Sequence, residues 1–203
     1  LLPARSGERA ASTGLLALML LTEARAAARV APDGELVRLD EQDRSAWDRA
    51  LLAEGLALVR EHPVAAAHGG GGMERYQLLA AVNAVHASAS HADDTDWSRI
   101  VSLYSELERI DPSPIVTLNK AIAVSELDSP EAGLEMIDRL AEALGGHHAF
   151  HTTRAELLRR VGRPADARTA YDRAIELAGN SAEVVHLIRR RGELAASTQG
   201  ESE

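Results

Sequence analysis

The sequence predicts an all-α protein built of antiparallel helix pairs, and three observations predict it. Ala121, Val124, Leu127, Pro130, Gly133, Ile137 and Leu140 are answered 34 residues later by Ala155, Leu158, Val161, Pro164, Ala167, Tyr171 and Ala174. Elsewhere apolar residues return at three- and four-residue spacing, the period of one helix face, with hardly any alternation of the strand type. Aromatic residues make up only 3% of a chain that is 45% hydrophobic, so its packing must come from many small contacts between helices that approach closely.

The elements follow in order. Residues 1–12, with Pro3 and Gly7, read as a lead-in or the end of a preceding helix. Ser12 or Thr13 can cap a helix carrying Leu15, Leu18, Met19, Thr22 and Ala26, which ends near Val30 before the turn Pro32-Asp33-Gly34. Glu35 to Leu39 alternates but is too short to found a sheet, and reads as an extended connector. A second helix is expected from Asp43 or Ser45 to about Arg60, with Trp47, Leu51, Leu52, Leu56 and Val59 on its apolar side and His62-Pro63 ending it. Residues 64–72 form a break, because the run Gly69 to Gly72 costs too much backbone entropy to be helical. It lacks the Gly-Lys-Ser/Thr ending of a phosphate loop and reads as a linker. A third helix is expected from Tyr76 to about Ala89 and a fourth from Trp97, carrying Ile100, Leu103, Tyr104 and Leu107. The acidic residues of 93–96 cap the fourth helix and face the positive end of its dipole. After Asp111-Pro112-Ser113-Pro114 come the two repeats, then a closing helix from about Ala182 to Ala195 and a polar tail from Ser197.

Within the repeat, a small residue, an apolar residue three on, and then a proline opening the next helix form the pattern of a tetratricopeptide pair. The small residues stand where two backbones meet. Such units stack to share a core, so the fold expected is a tetratricopeptide-like right-handed solenoid. The domain reading is a lead-in over 1–12, an N-terminal helical subdomain over 13–90, repeats with a capping helix over 91–196, and a disordered tail over 197–203.

Composition excludes several functions. A formal charge of −9 is wrong for gripping a nucleic-acid backbone, and the run Arg189-Arg190-Arg191 points around a helix, as a solvated helix end would. No apolar stretch reaches the roughly 18 residues of a membrane span. With no cysteine there is neither a disulfide nor a thiolate metal site, and a cytoplasmic protein is expected. The chain opens Leu1-Leu2-Pro3 without an initiating Met or a signal-peptide pattern, as a piece of a longer protein would.

Catalytic chemistry finds no foothold in these residues. His147, His148 and His151 form the one histidine cluster, and 147 and 151 fall a turn apart. A catalytic zinc site needs a third ligand and a base, and the residue after the first histidine is His148 instead of a glutamate, so packing is the expectation. No Gly-x-Ser-x-Gly elbow is present, and no enzyme, cofactor or metal is expected. The stretch from Asp33 to Asp48 carries six carboxylates against Arg38 and Arg44, either a solvated face or a docking surface.

Several segments together resemble a known group. Leu15 to Leu21 with Ala24-Arg25 and Ala28-Arg29, then Asp33-Gly34, then Asp40-Glu41-Gln42-Asp43-Arg44-Ser45-Ala46-Trp47-Asp48-Arg49, and Pro112 to Val116 with Leu118-Asn119-Lys120-Ala121, resemble the C-terminal extension of extracytoplasmic-function sigma factors. The resemblance covers roughly residues 13–196, and the segment from Asp40 to Arg49 is its most specific part. It implies a parent that is a bacterial initiation factor, with sigma core domains and RNA polymerase as partners, and an extension that governs sigma activity. Relatives tend to carry Asp-Gly-Asp where this chain has Asp33-Gly34-Glu35.

The residues expected to mediate contacts are Asp33, Asp40, Asp43, Arg44, Trp47, Asp48 and Arg49. Two readings of them stay open: the carboxylates accept hydrogen bonds from a basic partner while Trp47 anchors the local fold, or Arg44 and Arg49 pair with these aspartates in a self-contained network. For the whole chain the alternatives are a free-standing peptide-binding scaffold, and a metal enzyme around His147 and His151.

Overall fold

The computed structural model describes residues 3–32, 34, 36–61 and 74–199. The fold is all-α. Its helices gather into two compact units, of which the first holds α1 to α4 and the second α5 to α10. The glycine run at 69–72 and Asp33 lie outside the described residues, as does the tail beyond Gln199.

In the first unit α1 spans Pro3–Glu23, α2 Arg49–Glu61, α3 Glu74–Ser88 and α4 Trp97–Ile110. The first helix starts well before Ser12, since proline suits the opening turn, and stops at Glu23, short of Val30. A 3-10 turn at Ala26–Ala28 follows it. The expected second helix is split. Asp43 caps a 3-10 turn at Arg44–Ala46, and Asp48 then opens α2, so two competing caps divide what periodicity reads as one helix. Gly34, at φ +87°, takes the left-handed conformation that the turn after Pro32 requires.

Helix α1 packs on both α2 and α3, and α3 packs on α4. The approach of α1 to α3 is close: a Cβ on Gly14 would stand 2.8 Å from Gln77 Cγ and 2.9 Å from Gln77 N. Ala17, Leu21, Leu78, Val82, Ile100 and Leu103 are buried in this unit. In α4 the buried set Ile100, Leu103 and Leu107 keeps helical spacing, and Asp96 caps the helix through a bond from Arg99 N.

The second unit comprises α5 Pro114–Leu127, α6 Pro130–Asp138, the short α7 Ala141–Leu144, α8 His148–Arg160, α9 Pro164–Leu177 and α10 Ser181–Gln199. Helix starts keep the register of the sequence, His148 standing 34 residues after Pro114 and Pro164 standing 34 after Pro130. Serine caps sit ahead of two of these prolines, Ser113 Oγ accepting from Ile115 N and Ser129 Oγ from Ala132 N. Helix α5 packs on α6, α8 on α9, α9 on α10, and α6 on α8.

Small residues mark the contacts inside each pair. Ala121, Ala155, Ala167 and Ala174 are fully buried, beside the large side chains of Ile137, Leu158 and Tyr171. Each of those large side chains contributes roughly 1.5–3 kcal/mol by leaving water. Gly133 marks the tightest approach: a Cβ there would lie 2.6 Å from Ser125 Cβ and 2.9 Å from the Ala121 carbonyl. Val161 and Leu140 are half-buried, and Leu127, at the last turn of α5, is exposed.

Candidate functional site

The segment from Arg38 to Leu51 forms a joint held by backbone and side-chain bonds. It is anchored at one end by Val37 N donating to Arg29 O (2.8 Å) and at the other by Asp48 N donating to Ala24 O (2.8 Å). Gln42 Nε2 donates to Val37 O at 3.2 Å. The aspartates have three different duties. Asp40 pairs with Arg38 at the surface, 3.0 Å from Nε. Asp43 Oδ1 accepts from Ser45 N at 2.8 Å, and its hydrogen bonds to Ser45 hold its carboxyl below the usual carboxylate range. Asp48 Oδ1 accepts from Ala50 N (2.8 Å) and Leu51 N (3.0 Å), satisfying the free amides at the start of α2.

Arg44 caps a different helix. Its Nη1 donates to His86 O (2.8 Å) and Ala89 O (2.9 Å), carbonyls at the C-terminal end of α3, where a cation also complements the dipole. Its guanidinium lies 4.6 Å from the centre of the Trp47 ring. Trp47 is 4% exposed, and its buried Nε1 has no acceptor. Neither Arg44 nor Arg49 therefore pairs with Asp40, Asp43 or Asp48; Arg49 is exposed at the first residue of α2. Asp33 lies outside the described residues.

Two residues that the sequence reading did not single out, Asn83 and His86, complete the surroundings. Asn83 Oδ1 accepts from Arg25 Nη2 at 3.0 Å. His86 meets Trp97 edge-on, with ring centres 5.3 Å apart. Burial, reinforced by the charges of Arg25 and Arg44, pushes the His86 imidazole down to about 4. The guanidiniums of Arg25 and Arg44 are themselves lowered, chiefly by burial, and Arg25 also by the nearby Arg29 and Arg44; Asp94 opposes the effect at Arg44. A lone histidine near the end of a helix carries no sequence signal for such a neighbourhood.

The histidine cluster of the second unit is spread out. His147 precedes α8 and His148 begins it, so His147 and His151 do not share a helix face. His151 Nε2 lies 2.9 Å from Gly145 O and its ring stands edge-on to Phe150, while His148 Nδ1 is 3.9 Å from Glu183 Oε2. Among the described residues no group of three or more His, Asp or Glu is placed to hold a metal ion.

The arginine run is the other departure. Arg189 pairs with Glu193 and Arg191 with Asp172, but Arg190 is drawn inward. Its Nε and Nη2 donate to the two oxygens of Glu156, each at 2.9 Å, and Glu156 also accepts from the hydroxyl of Tyr171. The bidentate fork turns what a charge run suggests is a solvated end into a bond between α8 and α10. Burial, followed by the charge of Glu156, raises the Tyr171 hydroxyl far above its ordinary value.

Comparison with known proteins begins at the N-terminal end. Residues 1–62 match a family of unknown function, DUF6596. An uncharacterized protein of Rhizobium meliloti (strain 1021) is 45% identical over 183 residues, which are 90% of this chain and 42% of that relative. The chain thus spans under half the length of the curated relative it matches. No solved structure matches it. Among the described residues no helix is long and apolar enough to cross a membrane.

Proposed function

We propose that this chain is the regulatory C-terminal module of an extracytoplasmic-function sigma factor, acting in the cytoplasm through protein contacts with the sigma core or RNA polymerase. Its helix pairs stack in this reading as a tetratricopeptide-like right-handed solenoid, with α10 as the closing helix. The observation that carries the reading is the segment from Asp40 to Arg49. The part of the chain most like the sigma extension is also a dense joint, in which Arg44 and Asp48 bond to α3 and to the end of α1 while Asp40, Glu41 and Arg49 turn charges outward.

That division of labour chooses the test. Asp43, Arg44, Trp47 and Asp48 hold the joint, so substituting them perturbs fold and contact at once. Asp40 and Arg49 face solvent and are the contact candidates. In the full-length parent, Asp40→Asn with Arg49→Gln should change sigma-dependent transcription at least several-fold while the melting of this chain stays within a degree or two of wild type, as surface substitutions do. Unchanged transcription removes the docking role of these two residues. The parent gene tests the larger claim, since it must encode a polymerase-binding region and a helix-turn-helix ahead of this module. A parent without them refutes it. The module alone should give no sequence-dependent gel shift on promoter DNA, because a net charge of −9 opposes phosphate contacts.

A further inference from the structure

Arginines in this chain fall into two populations. Nine of those in the second unit, and Arg38 and Arg75 of the first, each meet a carboxylate at ion-pair distance. Arg25, Arg29 and Arg44 of the first unit do not, although acidic residues outnumber basic ones 31 to 22. Their hydrogen bonds end on neutral oxygens: Arg25 Nη2 on Asn83 Oδ1 (3.0 Å), Arg29 Nη2 on Thr22 O (2.7 Å), and Arg44 Nη1 on His86 O and Ala89 O. Asn83, His86 and Ala89 follow one another at single-turn spacing, so Arg25 and Arg44 lie over one strip of the C-terminal half of α3.

The three charges feel one another. Arg25 is depressed by burial and by both Arg29 and Arg44, and His86 by burial and by both Arg25 and Arg44, so Arg25 is the group the other three share. The C-terminus of α3 offsets this by about half an elementary charge, far short of three guanidiniums. Asp94 acts on Arg44 from further away, its carboxylate already bound to His91 N at 3.2 Å. Each guanidinium has five N–H donors and spends one or two of them on these neutral partners. All three side chains are half-buried, where the remaining donors interact more strongly with an anion than they would in open water.

We propose that Arg25, Arg29 and Arg44 form a binding site for the oxyanion group of a small molecule, a phosphate or a carboxylate, held by guanidinium forks, those of Arg25 and Arg44 over the C-terminal half of α3 and that of Arg29 at the end of α1. An unpaired cationic cluster in an acidic chain is expensive to keep unless an anion compensates it, and planar forks match both of these groups. The inference stands on the first unit alone and does not depend on what the parent protein is.

Nitrogen-15-labelled chain titrated with sodium phosphate, and separately with sodium acetate, at an ionic strength held constant with sodium chloride, tests this directly. The arginine Nε–H signals of Arg25, Arg29 and Arg44 and the indole N–H of Trp47, which lies under Arg44, should shift to saturation in at least one titration. Saturation with phosphate alone identifies a phosphate site, and saturation with acetate identifies a site that accepts carboxylates. Arg25→Gln and Arg29→Gln should each weaken binding about tenfold, the effect of one charge-assisted hydrogen bond, while Arg168→Gln on exposed α9 leaves it unchanged. Arg29→Lys keeps the charge without the fork and should weaken binding by a smaller factor, which preserves the test if the glutamine variant does not fold. Shifts that drift linearly with both salts, or a saturation that Arg25→Gln and Arg29→Lys leave untouched, would overturn the proposal.

Discussion

Replacing glycine by alanine inside a helix ordinarily stabilises it, and this chain offers two helical glycines at which the same change should have opposite signs. At Gly192 in α10 nothing lies within 4 Å of an added Cβ, so Gly192→Ala collects only the helix preference, about 0.5–1 kcal/mol of added stability. At Gly133 in α6 the added carbon meets Ser125 Cβ at 2.6 Å, the Ala121 carbonyl at 2.9 Å and Ser125 Cα at 3.2 Å. Two of these three atoms are backbone, and Ser125 is itself buried, so relief requires α5 and α6 to move apart. Overpacking of this kind costs about 1–3 kcal/mol, and deducting the helix preference of about 0.5–1 leaves a net loss of up to about 2.5 kcal/mol. For a unit of this size that is a fall of several degrees in melting temperature, since each kcal/mol moves it about 4–8 °C. Thermal unfolding of the two variants followed at 222 nm reads both signs side by side. A Gly133→Ala protein that melts at or above wild type would mean that the pair separates freely, and the close-approach account of the repeat would fail.

Other consequences are simpler. Ala155→Leu should overpack the contact between α8 and α9, where Ala155 and Ala167 are both fully buried, at about 1–3 kcal/mol, and an unchanged melting temperature would mean the register is wrong. Glu156→Ala removes the bidentate partner of Arg190, whose side chain is 14% exposed and which keeps Glu193 at 2.8 Å, and should lower stability by about 1.5–3 kcal/mol, read as a fall in urea midpoint at constant slope. His86, ordinarily near 6.5 and held here at about 4, takes up its proton in the unfolded chain before the folded one. Stability should therefore fall as pH drops from about 6.5 to about 4, by up to about 3 kcal/mol in all, and His86→Gln should flatten that part of the profile. Loss confined to lower pH, where capping carboxylates such as Asp43 and Asp96 protonate, would show that His86 contributes nothing.

The second half of the chain was the more legible. Its 34-residue register rests on residues whose size is set by how near two helices come, so spacing alone located Pro130, Pro164 and the buried alanines. It failed at Leu127, which matches Val161 in type but sits on a last turn that nothing covers. In the first half, helix limits depended on which of two aspartates, Asp43 or Asp48, reaches the free amides, and periodicity cannot decide between caps five residues apart. Among the candidate contact residues, the intramolecular partners were what the sequence could not supply. One of the two open readings had Arg44 meet an aspartate, whereas the carbonyls ending α3, more than 40 residues on, hold it. His86 and Asn83 were invisible because their significance arises only when α3 comes beside the turns that carry Arg25 and Arg44.

Two ion pairs in the second unit join residues separated by one full repeat, Glu126 with Arg160 and Glu156 with Arg190. Each partner thus occupies the same place in its own repeat as the residue it binds. A perfect internal duplication would put glutamate opposite glutamate, or arginine opposite arginine, at both places. Identical copies could not be held by these bonds, which require the two members of each pair to carry opposite signs. A designer who averaged the repeats into a consensus would set like charges face to face, so the difference between the copies is here part of what joins them.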